Sequence, residues 1–264
     1  MRDEEGVDGM QHALLRVMKR RDDRSSTAST DGPTASPVEP SVGFRDRADA
    51  GRRLAAELRP YAADDSIVLA LPRGGVPVGY EVARALNAPL DVWVVRKIGV
   101  PWHPELGVGA VAEGGDVYLT REVMAHVGLS DADLSAAIES KRGEVEARVR
   151  RYRGDRPTPE LRDRTVILVD DGIATGGTIR AAIRAIRARA PRKIILAVPV
   201  ASPDILEALA PEVDRTVCLL EPRDLFAIGL WYRNFTQVSD DEVVALLDRA
   251  RKELPSMDGG HDAR

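Results

Sequence analysis

The stretch Val166-Ile167-Leu168-Val169-Asp170-Asp171-Gly172-Ile173-Ala174-Thr175-Gly176-Gly177-Thr178 constrains the fold of this chain more than any other. An unbroken apolar run that short, bounded by turn residues, reads as a strand buried on both faces, which a sheet covered by helices on each side provides. Two carboxylates end the strand, small residues and threonines turn the chain, and a helical pattern begins at Thr178. That order puts the turn at the carboxyl end of a strand, where open α/β sheets bind their ligands. The residue types suit a phosphorylated sugar. The turn and the helix start offer unpaired backbone N–H groups to an anion. Gly176 and Gly177 let the backbone approach a phosphate closely, and Thr175 and Thr178 add hydroxyl donors. When ionised, Asp170 and Asp171 only accept hydrogen bonds, so they suit ribose hydroxyls or a water on a metal ion.

The same alternation runs along the chain. Residues 67–71 read as a strand, 76–86 as a helix with Pro77 near its start, and 90–95 as a second strand. After the strand at 166–169 come a helix at 178–189, a strand at 194–198, a helix at 203–209, a strand at 215–220 and a last helix at 240–252. This repetition predicts an α/β fold with a doubly wound, mainly parallel sheet. Upstream, Phe44, Ala48, Gly51, Leu54, Leu58 and Tyr61 recur at three- and four-residue spacing and predict an amphipathic helix. Ser130 with Asp133 caps another helix, which Gly154 ends. Residues 99–120 read as a Gly- and Pro-containing loop with a hairpin that pairs 108–112 with 117–119. Residues 1–40, rich in Ser, Thr, Pro and charge beyond residue 20, are expected to form a disordered tail. One domain is expected over 41–264, with 221–252 as a C-terminal hood and helix.

Composition narrows the function classes. Aromatic residues are only 4%, so the core must be built from Val, Ile, Leu and Ala. The net charge of -4, with both signs mixed along the chain, gives no field to gather nucleic acid, and no nucleic-acid partner is expected. No apolar run approaches the ~18 residues of a membrane span. The first residues, Arg2, Asp3, Glu4 and Glu5, are not those of a signal peptide, so a cytoplasmic protein without membrane contact is expected. Cys218 stands alone in an apolar run and reads as a small buried hydrophobe. There is no Walker phosphate loop, no Gly-x-Ser-x-Gly elbow and no paired-His or multi-Cys metal motif. The run 107–112 superficially fits a dinucleotide fingerprint but opens no helix.

The stretch 166–178 resembles the loop of type I phosphoribosyltransferases that binds 5-phosphoribosyl-1-pyrophosphate (PRPP), where four apolar residues precede two acidic ones and a Thr-Gly-rich phosphate loop. Its end, Ala174 to Thr178, looks like that of adenine phosphoribosyltransferases. Leu71-Pro72-Arg73-Gly74-Gly75 resembles the pyrophosphate loop of the family, and the resemblance implies a cis peptide between Pro72 and Arg73. Taken alone, that segment would serve equally as a strand-to-helix turn. Arg96 and Lys97 end the next strand, where two cations would answer the charge of a pyrophosphate; a solvated strand end is the alternative. The resemblance implies PRPP and Mg²⁺ as ligands. It puts Asp170 and Asp171 on the ribose and, through water, on the metal. Ala174, Thr175, Gly176, Gly177 and Thr178 fall on the 5-phosphate, and Arg73, Gly74, Gly75, Arg96 and Lys97 on the pyrophosphate. Phe226 corresponds to a residue that stacks on the acceptor base, although packing of the last helix would explain it as well. Residues 99–115 correspond to a mobile catalytic loop, with His103, Glu105 and Glu113 in or near it as groups able to move a proton or simply to be solvated.

The implied activity is transfer of the phosphoribosyl group to a nitrogenous base with release of pyrophosphate, in a protein that could form a homodimer. The chain departs from the hypoxanthine-guanine members at two positions. Ala174 stands where they carry an Asp base, and Val200 lies near their purine-reading Lys, so a 6-oxopurine acceptor is not expected. Two other readings use the same pocket: a non-catalytic sensor of PRPP or nucleotides, and an enzyme of another phosphosugar such as ribose 5-phosphate.

Overall fold

The computed structural model describes residues 43–63, 65–100 and 102–256, with only the backbone of residues 103–105. The tail expected at 1–40 lies outside the described residues. In chain order the elements are α1 (Arg47–Leu58), β1 (Ser66–Ala70), α2 (Gly75–Leu86), β2 (Leu90–Val92), β3 (Val95–Val100), β4 (His103–Ala112), β5 (Val117–Leu119), α3 (Arg121–Val127), α4 (Asp131–Arg153), β6 (Thr165–Val169), α5 (Gly177–Arg187), β7 (Lys193–Val200), α6 (Pro203–Leu209), β8 (Arg215–Leu220) and α7 (Asp240–Glu253). The short apolar runs pair as a parallel five-stranded sheet in the order β2-β1-β6-β7-β8.

Side chains alternate across a strand, so each central strand feeds two cores. Val68, Ala70, Ile167, Val169 and Ile195 enter one, shared with Leu54 of α1, Val82 of α2, Val145 of α4 and Leu247 of α7. Ile67, Leu69, Val166, Leu168 and Leu196 enter the other, shared with Ile179 and Ile183 of α5 and Leu206 of α6. Helices thus cover both faces, as the uninterrupted apolar strands require.

Three sequence expectations change. The helix predicted from Phe44 starts later, because Asp46 caps α1 by accepting from the Asp49 N–H at 2.7 Å. Phe44 instead pairs with Tyr232: its N–H donates to the Trp231 carbonyl at 2.8 Å and its carbonyl accepts from the Arg233 N–H at 2.9 Å. The strand predicted over 90–95 is broken. Trp93 still donates to the Ala70 carbonyl at 3.0 Å, but Val95 already belongs to a second sheet. That sheet is antiparallel, in the order β3-β4-β5, and it takes up most of the segment 99–115 that reads as a loop. Its glycines hide the strand: a side chain at Gly109 would run into the Tyr118 carbonyl, so glycine permits the close pairing. The expected hairpin is present, with Gly109, Ala110 and Val111 opposite Leu119, Tyr118 and Val117.

A buried ion triad fastens the second sheet to the first. Arg153, at the end of α4, donates to Asp91 at 2.8 Å, to Glu113 at 2.9 Å and to the Val92 carbonyl at 2.9 Å. Among the described residues no helix is long and apolar enough to cross a membrane.

Candidate active site

β1 and β6 are neighbours with Ala70 opposite Val169, so the turns that leave their carboxyl ends lie side by side. The Leu71 N–H extends the ladder to the Val169 carbonyl at 2.9 Å. Residues 71–75 are thereby pressed against the two acids. A side chain on Gly75 would come within 2.8 Å of the Val169 carbonyl, and one on Gly74 would overlap the Asp171 carboxylate. Close approach therefore demands both glycines. The bond between Pro72 and Arg73 is cis, as the resemblance implies.

Beyond β6 the chain returns to the sheet at Ile173, whose N–H donates to the Val200 carbonyl at 2.9 Å. Ala174 and Thr175 are exposed as a result. Gly176 has φ +74°, a left-handed conformation that glycine adopts at little cost, and α5 starts at the next residue without a side-chain cap. The first N–H groups of an eleven-residue helix are thus left for a ligand.

A cavity of about 330 Å³ opens between these turns and β3, with Pro72, Trp93, Arg96, Lys97, Asp170 and Thr178 in its wall. The structure thus brings Arg96 and Lys97 to Asp170 and Thr178 from a separate part of the chain. Arg73, Gly74, Gly75, Ala174, Thr175, Gly176 and Gly177 lie in the two turns beside them. Phe226 lies in the segment after β8, is 79% exposed and does not line this cavity. A larger cavity of about 570 Å³ lies between β5 and α4, where Arg121 and Arg142 are already answered by Asp131 and Glu139.

The charges around the acids are unequal. Asp170 accepts from the Asp171 N–H at 2.8 Å, and burial, then the neighbouring Asp171, raises its pKa well above the ordinary value. Asp171 is buried and accepts from Arg47 Nε at 2.8 Å; burial raises its pKa too, and Arg47 opposes that shift. The Tyr232 hydroxyl donates to the Asp171 carbonyl at 2.6 Å. Of the two carboxyl groups, Asp171 holds the guanidinium and Asp170 lines the cavity. Among the described residues no group of three or more His, Cys, Asp or Glu could hold a metal ion by itself. Among the residues of the wall, Arg96 Nε lies 3.7 Å from Glu144, while the Trp93 indole N–H and Arg96 Nη2 are buried without a partner. Such groups cost about 1–3 kcal/mol each until something accepts from them. Burial, then Arg148, lowers the pKa of Arg96.

Glu113 is neither solvated nor in the cavity, since Arg153 pairs with it in the core. The side chains of His103 and Glu105 lie outside the described residues. Burial pushes the Cys218 thiol up to about 11, so it stays protonated. Sequence reasoning missed Arg47, Trp93 and Tyr232. One signal was available for Arg47: a cation as the first residue of a helix opposes the macrodipole and calls for another reason to be there.

Comparison with known proteins identifies the family. The phosphoribosyl transferase domain matches residues 45–226. Two Mycobacterium tuberculosis proteins, from strains CDC 1551 and H37Rv and both provisionally named phosphoribosyl transferases, are each 48% identical over 211 residues, which is 80% of this chain and 48% of theirs. The chain therefore spans about half the length of the curated relatives it matches. The crystal structure of TT1426 from Thermus thermophilus is 42% identical, with a TM-score of 0.70, covering 78% of this chain and 97% of that one. The chain belongs to the phosphoribosyl transferase domain family, and its doubly wound sheet is the type I fold of that family.

Proposed function

We propose that this chain binds PRPP with Mg²⁺ at the carboxyl ends of β1 and β6 and the start of β3 and transfers the phosphoribosyl group to a nitrogenous acceptor. The supporting observation is the meeting of Asp170, Thr178, Arg96 and Lys97 in one cavity. The 5-phosphate is held by the Thr175 and Thr178 hydroxyls and the N–H groups around Gly176 and Gly177, where the start of α5 adds positive potential. Asp170 accepts from a ribose hydroxyl. Arg96 and Lys97, with backbone N–H groups from Arg73 to Gly75, hold the pyrophosphate. The acceptor nitrogen forms a bond to C1 as the bond from C1 to the pyrophosphate oxygen breaks, and the electron pair leaves with the pyrophosphate. Cations aimed at that leaving charge lower the barrier, and the turns hold the reacting atoms in line.

Asp170 would hold a hard divalent cation as a carboxylate ligand, direct or through water. When bound, Mg²⁺ neutralises the leaving pyrophosphate. The acceptor is not read as a 6-oxopurine: Ala174 carries no proton-transfer group, and Val200 is buried against Phe44 and Tyr232.

The test is pyrophosphate release from PRPP and Mg²⁺ across a panel of bases. Release with one base supports the proposal. PRPP binding without release on any base favours the sensor, and ribose 5-phosphate binding as tightly as PRPP favours the other phosphosugar enzyme.

A further inference from the structure

Arg47 is unusually committed for a residue at the start of a surface helix. Its side chain is 11% exposed. Nε donates to Asp171 at 2.8 Å, Nη1 donates to the Thr236 carbonyl at 2.8 Å, and the guanidinium lies 3.8 Å from the centroid of the Phe235 ring. Phe235 packs on Tyr232 at 4.9 Å, and Tyr232 reaches back to the Asp171 carbonyl. The Asn234 N–H donates to the Arg45 carbonyl at 2.9 Å, so the chain leading into α1 and the hood are joined by backbone as well. All these contacts tie the acid turn to the hood segment 231–236, on the side of Asp171. Asp170 is the carboxylate that lines the cavity. The two adjacent acids therefore face different partners.

We infer that Arg47 is a positioning residue: it binds Asp171 to the hood, leaving Asp170 as the carboxylate that meets the phosphoribosyl group, and so couples the hood to the phosphate turn. The inference rests on the PRPP reading above. Without Arg47, Asp171 is a buried carboxyl group that has lost its cation, and the turn must rearrange to hydrate it. Removing that charge as well should let the turn settle back.

Calorimetric titration of the full chain with Mg²⁺ and PRPP tests this in wild type, Arg47→Met, Arg47→Met with Asp171→Asn, and Asp170→Asn. Arg47→Met is expected to bind at least about tenfold more weakly, and adding Asp171→Asn to return affinity to within about threefold of wild type, the non-additivity of a coupled pair. Asp170→Asn is expected to lose binding. A merely structural Arg47 would not show this recovery, because the contacts to Thr236 and Phe235 stay lost in the double variant. If Arg47→Met fails to fold, the double variant decides alone: affinity near wild type supports the inference, and a loss of about tenfold or more overturns it. Unchanged affinity in Arg47→Met, or a double variant that binds no better than Arg47→Met, would also overturn it. A wild type that binds no PRPP removes the proposed function and this inference with it, whereas a wild type that binds and an Arg47→Met that binds equally removes the inference alone.

Discussion

Asp170 is held where its charge is costly, and that cost has a measurable sign. Its folded-state pKa is raised by burial and by Asp171, so its favourable contribution to stability is complete below the unfolded pKa of about 3.9 and is lost as pH rises through the folded value. Where it ionises, the charge destabilises the ligand-free protein. Asp170→Asn keeps an oxygen for the Asp171 N–H and removes the charge. It should raise the ligand-free melting temperature by a few degrees while PRPP binding is lost, read by thermal melting and calorimetry. By the same shift, PRPP affinity should fall on acidification at a pH above the usual carboxylate range, as Asp170 takes up a proton. Gly74 gives a steric counterpart. Its missing side chain is the space in which the Asp171 carboxylate lies, so Gly74→Ala should cost roughly 1–3 kcal/mol in chemical denaturation and weaken PRPP binding through the displaced acid.

The second sheet is the element whose placement depends most on buried charge. Arg96 and Lys97 ride on β3, and β3 is held near β1 partly through the Arg153 triad with Asp91 and Glu113. All three side chains are nearly inaccessible, and removing the central cation would leave two buried carboxylates unpaired. Arg153→Met should therefore destabilise by about 3–5 kcal/mol, visible as a lower denaturation midpoint. A loss below about 1 kcal/mol would mean that the packing of β4 on α5 holds the sheet without the triad. Glu113 shows why its role was unreadable in advance. A lone glutamate beside two glycines looks like a solvated turn residue, and only α4 folding back over the hairpin brings Arg153 to it.

At the scale of the whole molecule, a ligand that binds only the folded chain stabilises it by mass action. PRPP with Mg²⁺ at a hundred times its dissociation constant should add about 2.7 kcal/mol, or roughly 5–11 °C in melting temperature, and a chelator should abolish most of the shift. The layout that supports such a site was largely legible in the residues. Uninterrupted apolar strands, helical spacing and the Asp-Asp-to-Thr-Gly turn are local patterns, and local backbone geometry determines which periodicity a segment can satisfy. Asp170, Thr178, Arg96 and Lys97 could be picked out for the same reason, since each stands where a strand or helix begins or ends. The tertiary structure alone decided that residues 99–115 pair as strands, that Glu113 belongs to the core, and that Arg47 separates the two acids by claiming one. Those outcomes depend on contacts between residues far apart in the chain, Arg47 and Asp171 being 124 positions distant, and strand order and packing set such contacts without leaving a periodic trace in the sequence.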